Sequence, residues 1–322
     1  LMSSACPAPS PPLSYSSQCS TSTYYASVAP ISSGATAFKA SLHSLISPHN
    51  VISYTPGCWH ALRVLDGSAS NPCTCSGSTS SGQVDMIYAA AAHDCDAQGV
   101  SSGWNREHSW PKSYGVGYEG PDFSDLHALY AADWSVNSAR SNLFYDNCAG
   151  ASCTSPAHSE ADSTTAKDTQ RFQPPADKRG DLARSMFYMA VRYDGQEADT
   201  TDLELSDTPN AGQSLMGVRS TLLQWHLDDP VSAAEITRND LVCSNYQGNR
   251  NPFVDNPSWV NCAILGECGP TMPPSPPMGP PPPLVPTAGC LLITGIIDGP
   301  RSGGTPKAIE LYAACGVADL SA

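Results

Sequence analysis

Charge is scarce in this sequence, and positive charge is scarcer. Charged residues make up 14% of its 322 positions, against the roughly 25% usual for soluble proteins. Sixteen Lys and Arg face 30 Asp and Glu, for a formal net charge of −14. That balance excludes a protein held on nucleic acid by a broad basic surface, though not one with a local cationic groove. No apolar run approaches the ~20 residues of a membrane helix, so no span is expected. No C-x-x-C pair occurs, which removes the usual zinc ribbons and knuckles. No N-x-S/T sequon survives either, because Asn256-Pro257-Ser258 is blocked by its proline. No secretory leader is recognisable at Leu1.

What fills the gap is Ser, Thr, Gly and Pro, with 13 cysteines. Cysteine in this number is expected in an oxidising compartment, so the protein reads as secreted and disulfide-bonded, with six bridges and one spare thiol. A small metal cluster at Cys73, Cys75, His93 and Cys95 is the lesser alternative. At 322 residues the chain holds one large or two ordinary domains. Residues 1–22 read as a Ser/Pro-rich leader and 23–269 as the globular body. Residues 270–288 are a stiff polyproline spacer. Residues 289–322 hold two strands, around 290–297 and 308–312, too few for an independent β-domain.

Within the body, Phe38, Leu42 and Leu45 recur at helical spacing, as do Trp59, Leu62 and Leu65. Residues 71–83 read as a polar loop and Val84–Tyr88 as a short strand. The run 181–193 is a helix with Leu182, Met186 and Met189 as its apolar stripe and Asp181 as its cap. Another helix is expected over 215–227, and one begins at Ser232, where Ser232-Ala-Ala-Glu235 is a capping box. The fold class expected is α+β, a mostly helical body with few strands.

The chemistry concentrates in Trp104-Asn-Arg-Glu-His-Ser-Trp-Pro-Lys-Ser113, followed by Asp133-Trp-Ser-Val-Asn-Ser-Ala-Arg140. Phosphodiester hydrolysis at neutral pH needs a base for water, a cation for the scissile phosphate and support for the leaving oxygen. His108 suits the first task, because an imidazole titrates near working pH. Glu107 and Asn137 are hard oxygen donors suited to Mg2+, with Ca2+ or Mn2+ as alternatives. A regular strand turns neighbouring side chains to opposite sides, so a twisted or bulged strand end is expected at Glu107-His108.

These stretches resemble the endonuclease I family of the His-Me finger superfamily. The resemblance is carried by Asn105–Pro111, Ser124–His127, Ser135–Asn142, Lys178–Met189 and Gln247–Val254, in the family's order over residues 24 to 262. It implies a ββα-metal finger with His108 as general base, Glu107 and Asn137 as ligands of one divalent ion, and DNA, with RNA, as substrate cut at little sequence preference. Some members carry an arginine between base and helix to stabilise the product phosphate. Residues 112–126 hold no arginine, leaving Lys112, Arg106 and Arg140 as candidate substitutes. Asn142 and Arg250 are candidate substrate contacts; His127 and Trp110 are expected to be structural near the site. The tail 291–312 resembles the start of a lamin-tail-like β-sandwich. The competing expectation is an inactive nucleic-acid or extracellular-polymer binding module on the same fold.

Overall fold

The computed structural model describes residues 18–76 and 79–269, together with strands 291–297 and 308–313. The described chain mixes helices with small sheets, which is an α+β architecture. Helix α1 spans Ala35–Ile46 and α2 Trp59–Leu65. Strand β1, Trp104–His108, pairs antiparallel with β2, Leu129–Asp133, and β2 runs directly into α3, Trp134–Arg140. Three short strands follow: β3 (Phe144–Tyr145), β4 (Ala166–Lys167) and β5 (Arg171–Gln173), with β5 in the middle. Helix α4 is Arg179–Arg192, α5 Arg219–Asp228 and α6 Ala233–Leu241. The chain divides into two compact units, Leu1–Gly269 and Pro270–Ala322. In the second unit, strands 291–297 and 308–313 pair antiparallel with an irregularity between Ile293 and Gly295. The expected polyproline spacer lies outside the described residues. No described helix is long and apolar enough to cross a membrane.

The core gathers around α4, which is buried on every side rather than along one stripe: Leu182, Met186 and Met189 are inside, but so are Arg184, Ser185 and Tyr188. Buried polar groups are costly unless bonded, and each of these is. Arg184 makes a two-point ion pair with Glu235 on α6, at 2.6 and 2.7 Å. Ser185 Oγ donates to the His127 carbonyl, and Tyr188 Oη to Asp125. The Glu235 pairing changes the expected capping box. Ser232 Oγ does accept the Glu235 amide at 3.1 Å, but the Glu235 carboxylate turns inward to Arg184. Asp181 falls inside the first turn of α4 rather than capping it, and Asp229 on the neighbouring segment accepts the Gly180 amide.

Three other local expectations are corrected. Residues 74–76 and 79–81 form a small hairpin within the expected polar loop. The strand expected over Val84–Tyr88 is only Gln83–Val84, paired with His93–Asp94. The helix expected from Leu215 starts at Arg219, because Leu215–Met216 pair with Glu204–Leu205 first. The leader expected over residues 1–22 also gives way early: Cys19 is buried and bonded to Cys243.

Four disulfides are described: Cys19–Cys243, Cys73–Cys95, Cys148–Cys153 and Cys262–Cys268. The Cys73–Cys95 bridge removes the alternative metal cluster, and His93 instead faces Asp133 at 2.8 Å. Cys58 is free and buried, its thiol pushed up to about 12 by desolvation.

Candidate active site

The site is built on β1. Its pairing with β2 runs Trp104↔Asp133, Asn105↔Ala132, Arg106↔Ala131, Glu107↔Tyr130 and His108↔Leu129, without a register shift. Of the twisted or bulged end expected at Glu107-His108, the bulge is absent, and side chains alternate between two faces. Asn105 and Glu107 face α3, while Arg106 and His108 face the segment around Tyr54 and Phe123. The contacts on each side bear this out.

On the α3 face, Asp133 first fixes the helix. Its Oδ1 accepts the Ser135 and Val136 amides at 2.8 and 2.9 Å, satisfying donors that a helix start leaves free. One turn on, Asn137 Nδ2 donates to Asn105 Oδ1 at 2.6 Å. At the far end, Arg140 pairs with Glu107 Oε1 at 2.9 Å. Tyr88 Oη donates to that same oxygen at 2.9 Å and lies 2.5 Å from Tyr145 Oη. Among the described residues nothing bonds Glu107 Oε2 or Asn137 Oδ1. Burial raises the Glu107 pKa above the usual carboxylate value, opposed by Arg140, Tyr88 and Lys112.

On the other face, the His108 ring stacks on Phe123 with centroids 5.1 Å apart and planes at 14°. His108 Nε2 lies 2.9 Å from the Phe123 carbonyl. A carbonyl can only accept, so Nε2 carries the proton and Nδ1 keeps a lone pair. Burial pushes the imidazole down to about 3, against the Phe123 hydrogen bond; Lys112, Arg106 and Arg140 push it the same way. The ring is thus neutral at ordinary pH.

The candidate cations differ sharply in availability. Arg106 lies over the rings of Tyr54 and Trp59, at 3.5 and 4.1 Å, and donates to the Tyr54 carbonyl and Thr55 Oγ1. Arg140 is 1% exposed and also donates to the His108 and Ser109 carbonyls. Lys112 is half-buried, stands over the Tyr118 ring, and has no carboxylate partner among the described residues. Its charge acts on both Glu107 and His108.

The remaining candidates divide cleanly. Asn142 is exposed just beyond α3. Trp110 is buried with its indole N–H on the Tyr114 carbonyl. His127 is buried beside Tyr188 and hydrogen-bonded to the Asn249 carbonyl, as a structural residue would be. Arg250 does not reach the site. It is 1% exposed, with its guanidinium on Asp255 (2.6 and 2.7 Å), Asp240 (2.6 Å) and the Cys19 carbonyl (2.9 Å). Four of its five N–H donors are engaged there, which places it in the core.

Asn105, Tyr88, Tyr145, Tyr54 and Phe123 were not among the candidates. Strand alternation from Glu107 alone points to Asn105; nothing in the sequence marks the four aromatics.

Comparison with known proteins places this chain among the nucleases, enzymes that hydrolyse phosphodiester bonds. A family model described as Endonuclease I matches residues 34–258, and the chain belongs to that family. It is 38% identical over 244 residues to the extracellular ribonuclease of Bacillus amyloliquefaciens, covering 75% of this chain and 78% of that protein. It is likewise 38% identical over 226 residues to the extracellular ribonuclease of Bacillus subtilis (strain 168), covering 69% and 72%.

Proposed function

We propose that this nuclease is a secreted, divalent-metal-dependent endonuclease that cuts RNA and DNA with little sequence preference, with β1, β2 and α3 as its His-Me finger. The observation that carries the mechanism is the hydrogen bond from His108 Nε2 to the Phe123 carbonyl. It fixes the tautomer and leaves Nδ1 as a base that can take a proton from water. Burial lowers the imidazole to about 3, below the near-neutral value expected of a base, so the role rests on the fixed tautomer and the unbonded Nδ1 rather than on its pKa.

The donor set fits Mg2+. Glu107 Oε2 on β1 and Asn137 Oδ1 on the facing α3 are hard oxygens, both without a hydrogen bond among the described residues, and a cation of this kind needs few protein ligands. Tyr88 and Arg140 hold Glu107 through its other oxygen, and Asn105 holds Asn137 through its amide nitrogen. Such partners orient ligands before an ion arrives. Bound there, the ion would neutralise charge on the scissile phosphate. Glu107 and His108 serve from opposite faces of one strand, with adjacent Cα atoms only ~3.8 Å apart. A diester lying across the strand end would meet both. Lys112 is the cation for the phosphate, since Arg106 and Arg140 are already committed. The disulfides, and relatives that are extracellular ribonucleases, support secretion and an RNA substrate.

The test is cleavage of plasmid and single-stranded RNA with Mg2+, with EDTA, and with His108→Ala. EDTA abolishes cleavage, and His108→Ala lowers the rate by about 10²-fold or more. Undiminished activity in either arm overturns the mechanism.

A further inference from the structure

A groove of about 420 Å³ opens immediately beyond α3. Its lining includes Asn142, Phe144, Gln170, Pro209, Asn210 and Tyr114. It adjoins the candidate centre on two sides. Ser141 and Asn142 follow Arg140 directly in the chain, and Tyr114 lies two residues after Lys112 and feels the Arg140 charge. The sharp exit from α3 makes the wall: Ser141 takes φ +53° and ψ −129°, a conformation that costs a non-glycine residue energy, and its carbonyl is held by Arg140.

The chemistry of the lining is distinctive. No side chain lining it is charged. A phosphate has nothing to pair with there. What the groove offers is a half-buried aromatic face at Phe144, an apolar wall at Pro209, and carboxamides. The side chains of Asn142 and Gln170 are exposed and bond nothing among the described residues. A flat apolar surface flanked by amides that both donate and accept is what a nucleobase requires: its face stacks and its edge pairs. A base inside a duplex has its face covered and its edge engaged, so only an unpaired base presents both. The volume suits a single small group and lies near the lower end for ligand sites.

We infer that this groove is a nucleobase subsite, taking one unpaired base of a single-stranded substrate beside the phosphate being cleaved. The inference rests on the proposed nuclease centre but makes a separate claim: the protein selects single strands through base contacts while the chemistry proceeds at β1. The amides set no strict sequence requirement, because every base offers donors and acceptors at an edge.

The test uses the full chain and Asn142→Ala/Gln170→Ala, two exposed positions. Two measurements are made: equilibrium binding of fluorescein-labelled single-stranded RNA in EDTA by anisotropy, and kcat/KM with Mg2+ on single-stranded RNA, the same RNA in a duplex, and bis(p-nitrophenyl) phosphate, which has no base. The expected result is preference of the parent for single strands and about tenfold weaker binding by the variant in EDTA. The ratio of kcat/KM on single-stranded RNA to that on the base-free diester falls by about tenfold, mainly through KM; tenfold is ~1.4 kcal/mol, shared between two exposed amide contacts. Equal losses on RNA and the base-free diester, or no loss of RNA binding, overturns the subsite. Weakened binding in EDTA without cleavage of any substrate by the parent leaves the subsite standing and removes the catalytic reading.

Discussion

Arg250→Ala separates a phosphate contact from a core tie. Arg250 donates twice to Asp255, once to Asp240 and once to the Cys19 carbonyl, while 1% exposed. Asp255 is itself 5% exposed at its side chain and has one further described partner, Tyr25 Oη at 2.5 Å. Truncating the arginine leaves that carboxylate buried and unpaired, which costs about 3–5 kcal/mol. For a body of this size each kcal/mol lowers Tm by roughly 2–4 °C, so the expected fall is roughly 6–20 °C. Asp240 contributes little to it, because that side chain is 56% exposed and screened by water. The assay pairs a thermal melt with KM for single-stranded RNA, measured well below the variant's new melting range. The expected outcome is a large fall in Tm with KM unchanged. A raised KM at unchanged Tm refutes the argument and returns Arg250 to the substrate.

Two other outcomes follow from the charge arrangement. His226 accepts from Arg184 at Nδ1 (3.4 Å) and donates from Nε2 to the Pro257 carbonyl (3.1 Å), and burial, then Arg184, lowers its pKa from 6.5 to about 4. The unfolded chain therefore binds its proton first as pH falls, so this stability is complete above about pH 6.5 and drains away toward pH 4. Between pH 7 and pH 5 the parent loses about 2 kcal/mol more than His226→Gln; urea melts showing equal losses contradict this. Second, Arg63, Arg140, Arg171, Arg184, Arg192, Arg219, Arg238 and Arg250 all carry carboxylate partners. With Lys112 as the one cation proposed to meet the phosphate, log kcat/KM on single-stranded RNA falls against log salt with a slope of about −1 at fixed Mg2+, and a slope of about −4 or steeper shows a basic groove instead.

The parts of the fold that the sequence made legible are those where local preference and burial agree. Phe38 and Leu42 on α1, and Leu62 on α2, sit at helical spacing and are fully buried. Ser232 caps α6 because its hydroxyl can reach the Glu235 amide with no help from elsewhere. Local pattern misled where a distant partner intervened. Glu235 reads as the second half of a capping box, yet a buried guanidinium on α4 draws its carboxylate away. Leu215 and Met216 continue a helical pattern, yet a parallel strand at Glu204–Leu205 takes them. The apolar stripe on α4 predicted one buried face; the other faces are buried too because Asp125, His127 and Glu235 arrive to bond its polar residues.

The same contrast governs the site. Glu107, His108 and Asn137 could be chosen from residue chemistry and a resemblance, but their relation to one another is a matter of faces. Period two along β1 puts Asn105 with Glu107 and Arg106 with His108, and it was readable once the strand was granted. A twisted or bulged end is what adjacent residues would need if Glu107 is to face an ion and His108 a water in one pocket. The uninterrupted register with β2 shows no bulge and sets the two side chains on opposite faces. One face, with Tyr88, Arg140 and Asn105, holds the oxygen donors; the other, with Phe123 and Tyr54, holds a neutral imidazole. A carboxylate in contact with His108 would favour its protonated form and raise its basicity; the aromatic and carbonyl cradle instead fixes which ring nitrogen carries the proton, and the strand itself separates the ring from Glu107.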